Sequence, residues 1–336
     1  MIQQRHHSSG YRRLWPIVSV VLLLCSVLSV GNVCAADRER PFRIGVLTAS
    51  WGPTPQTVGI RDGLVALGYR ENEDFVIGIR FTQGDLSALP GAARELVQYE
   101  VDLILADTDD AAKAVQQATS QVPIVFAAVI DPVKLGLVES FARPGGNITG
   151  VSDLGVDLHP KRLELLRAMI PSLHRVLLPY DATSTLAAAE VKSARQAAQR
   201  LGIELIELGV RSQAEAQKAL AEISKGDVDG ILAPRCCSMN IPGYVLEATA
   251  RQKIPAIFDS AFWPERHALV SYGPDYYASG KQAVRLVDKI MKGAKPAELP
   301  VEQPTKFYLT LNLKAAKALG ITFPPSILLR ADRIIE

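Results

Sequence analysis

The sequence contains few of the residues on which most enzymatic chemistry depends. Its 336 residues include only five histidines and four cysteines. It has no HExxH helix, no Gly-x-Ser-x-Gly elbow and no Walker-type phosphate loop. Catalytic groups can be assembled in space without a local motif, so an enzyme is not excluded, but nothing in the sequence supports one. We therefore predict a protein that is not an enzyme and uses neither a cofactor nor a metal.

Charge of one sign and aromatic residues are also scarce. The formal net charge is only +2, and aromatic residues make up 6% of the chain. So small a charge gives no basis for binding nucleic acid or an acidic surface. Hydrophobic residues are plentiful at 48%, and the length is enough for two ordinary domains. We expect a monomeric globular protein that does not bind nucleic acid.

The first 36 residues differ in character from the rest. A basic start precedes Leu14–Val30, a run without charge, and small residues follow it. This order predicts a signal peptide over residues 1–36, cut after Ala35 or Ala36. The alternative is a membrane anchor, but a span needs about 20 apolar residues and this run is shorter. We expect an exported protein in the periplasm or a comparable extracytoplasmic space.

Cysteine use leaves one question open. After removal of the predicted signal peptide only Cys236 and Cys237 remain. An oxidising compartment favours disulfides, yet adjacent cysteines form a strained ring when they pair. Two free or packed thiols and a vicinal disulfide are both compatible with the sequence. No histidine or further cysteine lies at a spacing suited to a metal site.

From Arg43 onward, short apolar runs alternate with amphipathic stretches. Runs this apolar are typical of parallel strands buried between two helix layers, and the alternation indicates a doubly wound α/β fold. The pattern restarts after the polar, glycine-rich segment 143–157, which indicates a second α/β unit of similar size. The predicted strands include 43–48, 75–81, 102–106, 124–129, 175–180 and 306–313, and the predicted helices include 56–68, 89–99, 110–119, 185–202, 277–291 and 314–320.

Polar and aromatic side chains follow several of the predicted strands. Ligands of open parallel sheets bind beyond the carboxyl ends of the strands, so these positions are candidates for ligand contact. Hydroxyls and aspartates suit a zwitterion or polar ring better than a phosphate, which favours glycine-rich loops and more cations. Trp51 could equally be a buried turn residue, and Asp131 could cap the next helix. The candidates are Ser50, Trp51, Thr54, Asp131, Asp181 and Asp259.

The C-terminal segment, Ala268–Glu336, carries a resemblance that is long and specific. Its blocks "SYGPDY", "DKIMKGAKPAELPVEQPTKFYLTLNLKAAKALG" and "FPPSILLRADRIIE" resemble the substrate-binding proteins of ABC transporters in the tryptophan/aromatic-amino-acid-binding-like family. The blocks "RIGVLTAS", "RDGLVALGY" and "PIVFAAVIDPVKLGLVESFARPGGNITGVS" are similar to the same family. The likeness covers Pro41–Glu336, which is almost all of the predicted mature chain.

This resemblance implies a type I periplasmic-binding-protein fold. Two doubly wound parallel-sheet lobes, joined by about three crossovers, would enclose a small ligand and dock on a membrane permease. It implies Ser152 near the first crossover and Tyr272 near the second, both as ligand-binding candidates. The expected boundaries are 41–152 for the first lobe, 153–271 for the second, 272–298 for a return to the first, and 299–336 for a return to the second.

One loop departs from the family pattern. Where relatives have Gly-Gly-Thr-Pro after the third strand, this chain has Ala-Asp-Thr-Asp, so only Thr108 inherits a ligand role from the resemblance. Asp109 replaces the proline. We predict that it adds a carboxylate and favours a cationic or ammonium-bearing ligand. Alternatively, Asp109 and Asp110 only stabilise the first turn of a helix.

The predicted function is therefore solute capture. An α-carboxylate would bind hydroxyls and helix-start amides, and an α-ammonium would bind Asp109, Asp181 or Asp259. A flat side chain would stack on Trp51, Phe258 or Tyr272. We expect an amino acid or related molecule to be delivered to an ABC import permease. The alternative is an exported ligand-sensing module for a membrane receptor, because both uses share one fold.

Overall fold

The computed structural model describes residues 40–155, 157–235 and 238–336. The predicted signal peptide and its cleavage point lie outside these residues, and so does the Cys236–Cys237 pair. No helix within the described residues is long and apolar enough to cross a membrane.

Five parallel strands form the first sheet, in the order β2-β1-β3-β4-β5. Every residue of β3 and β4 is buried, as expected for strands covered on both faces. Helices pack on each face of this sheet, and together they make the first lobe. The strands are β1 (Phe42–Thr48), β2 (Phe75–Phe81), β3 (Leu103–Ala106), β4 (Ile124–Val129) and β5 (Ile148–Ser152).

The second sheet has seven strands in the order β12-β11-β10-β9-β8-β6-β7, and with its helices it makes the second lobe. All neighbouring pairs are parallel except β10 and β11, which run antiparallel. The prediction of two parallel-sheet α/β lobes is confirmed. The strands are β6 (Arg175–Asp181), β7 (Glu204–Val210), β8 (Gly230–Leu232), β9 (Ala256–Phe258), β10 (Val270–Pro274), β11 (Phe307–Asn312) and β12 (Arg333–Ile335).

The α-helices begin and end at recognisable signals. Thr108 and Ser212 cap their helices by accepting a hydrogen bond from a backbone amide three residues on, and Gly202 ends a long helix in the left-handed conformation. The helices are α1 (Pro55–Ala66), α2 (Leu89–Gln98), α3 (Asp109–Ala118), α4 (His159–Met169), α5 (Ala187–Leu201), α6 (Gln213–Glu222), α7 (Ile241–Gln252), α8 (Tyr276–Met291), α9 (Leu313–Leu319) and α10 (Pro325–Leu328).

Helix α8 packs on the first lobe although it follows a strand of the second. It lies so close to α1 that a Cβ at Gly59 would be 2.2 Å from the carbonyl oxygen of Tyr277, so this contact requires glycine. After α8 the chain stays on the first lobe, where Thr149 Oγ1 donates to the Leu299 carbonyl at 2.7 Å. It then enters β11 of the second sheet. The lobes are therefore linked after β5, between β10 and α8, and before β11.

Candidate ligand-binding cleft

A cavity of about 310 Å³ lies between the two lobes. One wall comes from the loops that follow β2, β3 and β4, and the other from the loops that follow β6 and β8 and from α5. Carboxyl ends of strands from both sheets therefore face the same space, as is usual for ligand sites in open parallel sheets. The described lining residues are Gly84, Leu86, Thr108, Asp109, Asp110, Lys113, Ile130, Leu135, Asp181, Thr183, Ser184, Thr185, Leu186, Glu190, Arg235 and Met239.

Arg235 connects the second lobe to the first. It follows β8, and only 8% of its side chain is exposed. Its Nε lies 2.7 Å from Oδ2 of Asp153, in the first crossover, and its Nη1 lies 3.7 Å from Oδ2 of Asp109 at the start of α3. Its Nη2 donates to the carbonyl of Ala128 in β4. One guanidinium thus joins three segments on the other side of the cleft, using the fixed fork of donors that only arginine has.

Tyr276 extends this network at the start of α8. Its hydroxyl lies 3.1 Å from Arg235 Nε and 3.0 Å from both Asp153 Oδ2 and Asp259 Oδ2. Burial and the charges of the two aspartates raise the pKa of Tyr276 well above its usual value, so the phenol stays protonated and can donate. Asp259 also accepts a hydrogen bond from Trp263 Nε1 at 3.1 Å.

The backbone at the end of β4 is shaped for these contacts. Ala128 has a left-handed φ of +82°, and the pairing register between β4 and β5 shifts at this position. Such a bulge redirects the peptide groups of a strand, and here the Ala128 carbonyl faces Arg235. Two residues on, the amide of Ile130 donates to Asp109 Oδ1 at 2.9 Å. The strand end is thereby linked to α3 and to the second lobe.

Four acidic groups in and beside the cleft have raised pKa values: Asp107, Asp109, Asp110 and Glu190. Burial raises the pKa of Asp109 to about 6, although Arg235 and the Ile130 amide oppose the shift. Burial likewise raises the pKa of Asp107 to about 6, although the nearby hydroxyls of Thr48 and Thr54 oppose the shift. The pKa of Glu190 rises to about 7, again mainly by burial. Ionised carboxylates are therefore costly in this part of the molecule.

Three of the ten predicted ligand residues line the cleft: Thr108, Asp109 and Asp181. Thr108 caps α3 by accepting from the Ala111 amide at 3.2 Å. Asp181 accepts hydrogen bonds from the Thr183 amide at 2.8 Å and the Thr183 hydroxyl at 2.6 Å. Thr108 and Asp109 belong to the first lobe and Asp181 to the second, so the three side chains face one cavity from opposite lobes. No local sequence pattern predicts that they meet there.

The polar members of the other seven lie around the cleft without lining it. Ser50 bonds within its own turn, to Thr48 and Gly52, while Thr54 caps α1. Asp131 accepts from the Lys134 amide at 3.0 Å, as a helix-cap residue would. Ser152 is buried at the end of β5, and its hydroxyl has no hydrogen-bond partner within the described chain.

None of the aromatic candidates lines the cavity. Trp51 is 77% exposed. Phe258 is fully buried and stacks on Trp263 with ring centres 5.2 Å apart. Tyr272 packs against Phe307 at 6.2 Å, and its carbonyl accepts from Arg162 Nε at 2.8 Å. Asp259, the remaining candidate, belongs to the Tyr276 network described above.

Sequence reasoning missed two residues that dominate the site. Arg235 is not among the predicted ligand residues, although it follows an apolar stretch. Glu190 lies inside helix α5, where a single glutamate among alanines resembles an ordinary solvated helix position. The apolar stretch that precedes Arg235 identifies it as a strand-end residue, and that signal could have found it. No comparable signal exists for Glu190.

Two sheet-based lobes linked by several crossings, with strand-end loops around an interlobe cavity, define the class of bilobal solute-binding proteins. A family profile described as "ABC transporter substrate binding protein" matches residues 52–335, and the chain belongs to this family.

Individual relatives agree with this assignment. The chain is 29% identical over 292 residues to a tyrosine-binding protein of Clostridioides difficile (strain R20291), covering 85% of this chain and 83% of that protein. A structure of an ABC domain from Streptococcus pneumonia in complex with L-Trp is similar, with a TM-score of 0.78 and 27% identity, over 88% of this chain and all of that one. So is a conserved domain protein from Vibrio cholerae O1 biovar eltor, with a TM-score of 0.81 and 29% identity over the same shares. The prediction of an ABC substrate-binding protein of this family is confirmed.

Proposed function

We propose that this protein is exported, captures an amino acid or a related ammonium-bearing solute in the interlobe cleft, and delivers it to an ABC import permease. The observation that carries the proposal is the cavity between the lobes, whose polar and charged lining comes from both of them. A solute held there contacts both lobes at once. Its binding energy therefore favours the arrangement in which the lobes are close together.

The network around Arg235 supports coupling between solute capture and lobe position. The side chain belongs to the second lobe, yet it reaches Asp109 and Ala128 in the first. These contacts exist only when the lobes are close. Asp109 also lines the cavity, so a solute beside it touches the same interlobe network. A permease can recognise a loaded binding protein by such a change in relative lobe position.

The relatives support an amino-acid-like ligand. One similar protein is named for tyrosine and another was crystallised with L-Trp. In this chain, the first-turn amides of α3 lie beside Thr108 and suit a carboxylate, whereas Asp109 and Asp181 suit an ammonium group. These three residues are the proposed ligand contacts. Contact with Ser50, Trp51, Thr54, Asp131, Ser152, Asp259 and Tyr272 stays a prediction.

Two experiments test the proposal. Native mass spectrometry of the protein purified from the cell envelope of its host would reveal a solute carried through purification, and gentle unfolding would release it for identification. In-cell photo-crosslinking from exposed positions of both lobes would identify the membrane partner. Capture of an ABC permease supports the proposal, whereas capture of a kinase-type receptor would favour a sensing module. Conversion of the bound solute to a product would show an enzyme instead.

Export has its own test. N-terminal sequencing of the envelope fraction should give Ala36 or Asp37 as the first residue, depending on which bond is cut. Full-length protein retained in the cytoplasm would contradict export without affecting the ligand result.

A further inference from the structure

Carboxylates from both lobes converge on the cleft. Asp110 belongs to α3 of the first lobe, and Asp181 ends β6 of the second. Both side chains line the same cavity, so two like charges face it from opposite lobes. Among the described lining residues, the acidic side chains outnumber the basic ones: Asp109, Asp110, Asp181 and Glu190 against Lys113 and Arg235.

Glu190 is the buried lining carboxylate for which the described residues provide neither a hydrogen bond nor a salt bridge. Only 7% of the residue is exposed, and its carboxylate has no hydrogen bond or salt bridge to any described residue; burial and surrounding charges alone act on it. Asp109, by contrast, has the Ile130 amide and Arg235, and Asp181 has Thr183. A buried carboxylate without a partner is strongly destabilising when ionised, so it indicates a partner that comes from outside the chain.

The charge of Arg235 partly opposes the rise in the pKa of Glu190, but no salt bridge within the described residues joins a cation of the cleft to this carboxylate. The guanidinium of Arg235 is directed at Asp153, Tyr276 and Ala128, on the opposite lobe and the crossovers. Lys113 is an exposed residue of α3, in the first lobe, whereas Glu190 is in the second. The described lining side chains include more carboxylates than cations. A positive charge on the solute would complement this excess.

The apolar part of the lining is aliphatic. Among the described residues no aromatic ring lines the cavity. Flat rings are best held by other rings, in stacked or edge-to-face contact. A methylene chain needs only apolar side chains around it. The apolar side chains that line the cavity are Leu86, Ile130, Leu135, Leu186 and Met239.

We propose that the solute is an aliphatic primary amine of net positive charge, a basic amino acid or a diamine, with an ammonium group against Glu190. An ammonium has three donors and can satisfy carboxylates of both lobes together, Glu190 and Asp181 on one side and Asp110 on the other. Its alkyl chain lies along the aliphatic wall. This inference rests on the proposed function and specifies the solute of the same cleft.

The test is isothermal titration calorimetry on the mature protein at pH 8 after unfolding and refolding to remove carried solute. The amines are L-lysine, L-ornithine, putrescine and cadaverine, and the comparison compounds are L-tryptophan, L-tyrosine, L-leucine and calcium chloride. We expect at least one amine to bind about tenfold or more tightly than every comparison compound. Lysine and cadaverine differ by the carboxylate alone, so their ratio separates a basic amino acid from a diamine.

Substitution locates the ammonium group. Glu190→Gln keeps the shape of the side chain and removes its charge, and we expect it to weaken binding of the best amine by about tenfold or more. Glu247→Gln, on the exposed face of α7 in the same lobe, is the matched control and should change the affinity less than about twofold. Circular dichroism of both variants checks that each is folded.

Each other outcome overturns the inference. Tighter binding of tryptophan, tyrosine or leucine than of every amine would overturn it while leaving the proposed function intact. Preference for calcium would make the cleft a metal site. Binding of none of the compounds would also overturn it, and the permease crosslink would then decide the proposed function independently. An amine that binds Glu190→Gln as well as the original protein would remove Glu190 from the site.

Discussion

Arg235 Nε lies 2.7 Å from Oδ2 of Asp153, so a side chain that follows a strand of the second lobe pairs with the first crossover of the chain. Asp153 is 1% exposed and Arg235 is nearly as buried. Two charges buried this deeply depend on each other, since removing one leaves the other without compensation. The position of the lobes and the stability of the protein therefore depend on the same pair.

The first prediction concerns that pair. Arg235→Ala should lower the free energy of unfolding by about 3 kcal/mol, because it leaves Asp153 buried without its cation. It should also increase the radius of gyration in small-angle X-ray scattering, since contacts between the lobes are lost. Arg195→Ala, which breaks the exposed pair with Glu207, is the control and should cost at most about 1 kcal/mol in urea unfolding. Equal losses in the two variants would contradict the structural importance of Arg235.

The second prediction concerns Arg162, which is fully buried in α4. Its Nε donates to the Tyr272 carbonyl at 2.8 Å and its Nη1 to the Gly155 carbonyl at 3.2 Å, so it joins β10 to the segment after the first crossover. Arg162→Met should lower the free energy of unfolding by about 2–4 kcal/mol, since two buried carbonyls lose charged donors. Urea denaturation measures the loss. A change below about 0.5 kcal/mol would show that methionine packing replaces the hydrogen bonds.

The third prediction compares two helix caps. Thr108 Oγ1 and Ser212 Oγ each accept from the amide three residues on, both at 3.2 Å, but only Thr108 lines the cleft. Thr108→Ala and Ser212→Ala should each lower the free energy of unfolding by about 1 kcal/mol. Only Thr108→Ala should also weaken solute binding, by about fivefold, as expected for the loss of one hydroxyl contact of about 1 kcal/mol. Equal affinities in the two variants would limit Thr108 to capping.

The fourth prediction is a pH dependence of stability without solute. The pKa of Glu190 is about 7 in the folded protein and 4.5 ordinarily, so between these values the folded state binds more protons than the unfolded state. Stability therefore falls as pH rises through this window. His159 acts in the opposite sense, chiefly below pH 6.5, because burial lowers its pKa to about 3 and the unfolded chain alone becomes charged. Between pH 6.5 and 8 the unfolded-state titration of His159 is half complete or more, so it offsets only part of the Glu190 effect.

Over that interval the free energy of unfolding should fall by about 1 kcal/mol, with small additional contributions from Asp107 and Asp109. The charged groups that act on Glu190 are Arg235, Asp109, Arg162 and Asp181. Urea unfolding of Glu190→Gln over the same range should show most of this slope removed. A slope that persists in the variant would assign it to other groups.

Much of the secondary structure was predictable because it depends on local patterns. The strands 75–81 and 124–129 lie where the sequence predicts them, and Gly202 ends α5 as its sequence position indicates. Thr108 at the start of α3 was predictable for the same reason, since a hydroxyl before an alanine-rich stretch is a helix cap. Burial of the strands on both faces follows from their composition.

The site was less predictable because it depends on which loops meet. Asp109 is predicted to add a carboxylate that favours an ammonium-bearing ligand, and in the structure this carboxylate also accepts a hydrogen bond from the Ile130 amide and lies near Arg235. The buried carboxylate without a hydrogen bond or salt bridge to a described residue is that of Glu190. This residue follows Asp109 by 81 positions and lies in the other lobe. No spacing in the sequence connects these two positions.

The sequence by itself determined the alternation of strands and helices, the family, and the strand-end positions from which a ligand site could be built. These follow from periodicity, helix signals and turn residues, which act over a few residues. Only the tertiary structure decided that Arg235 is an interlobe link, that the aromatic candidates do not line the cavity, and that the carboxylate of Glu190 is buried with no hydrogen bond or salt bridge to a described residue. Such properties arise where two separately folded lobes approach each other, and burial there changes both pKa values and the choice of solute.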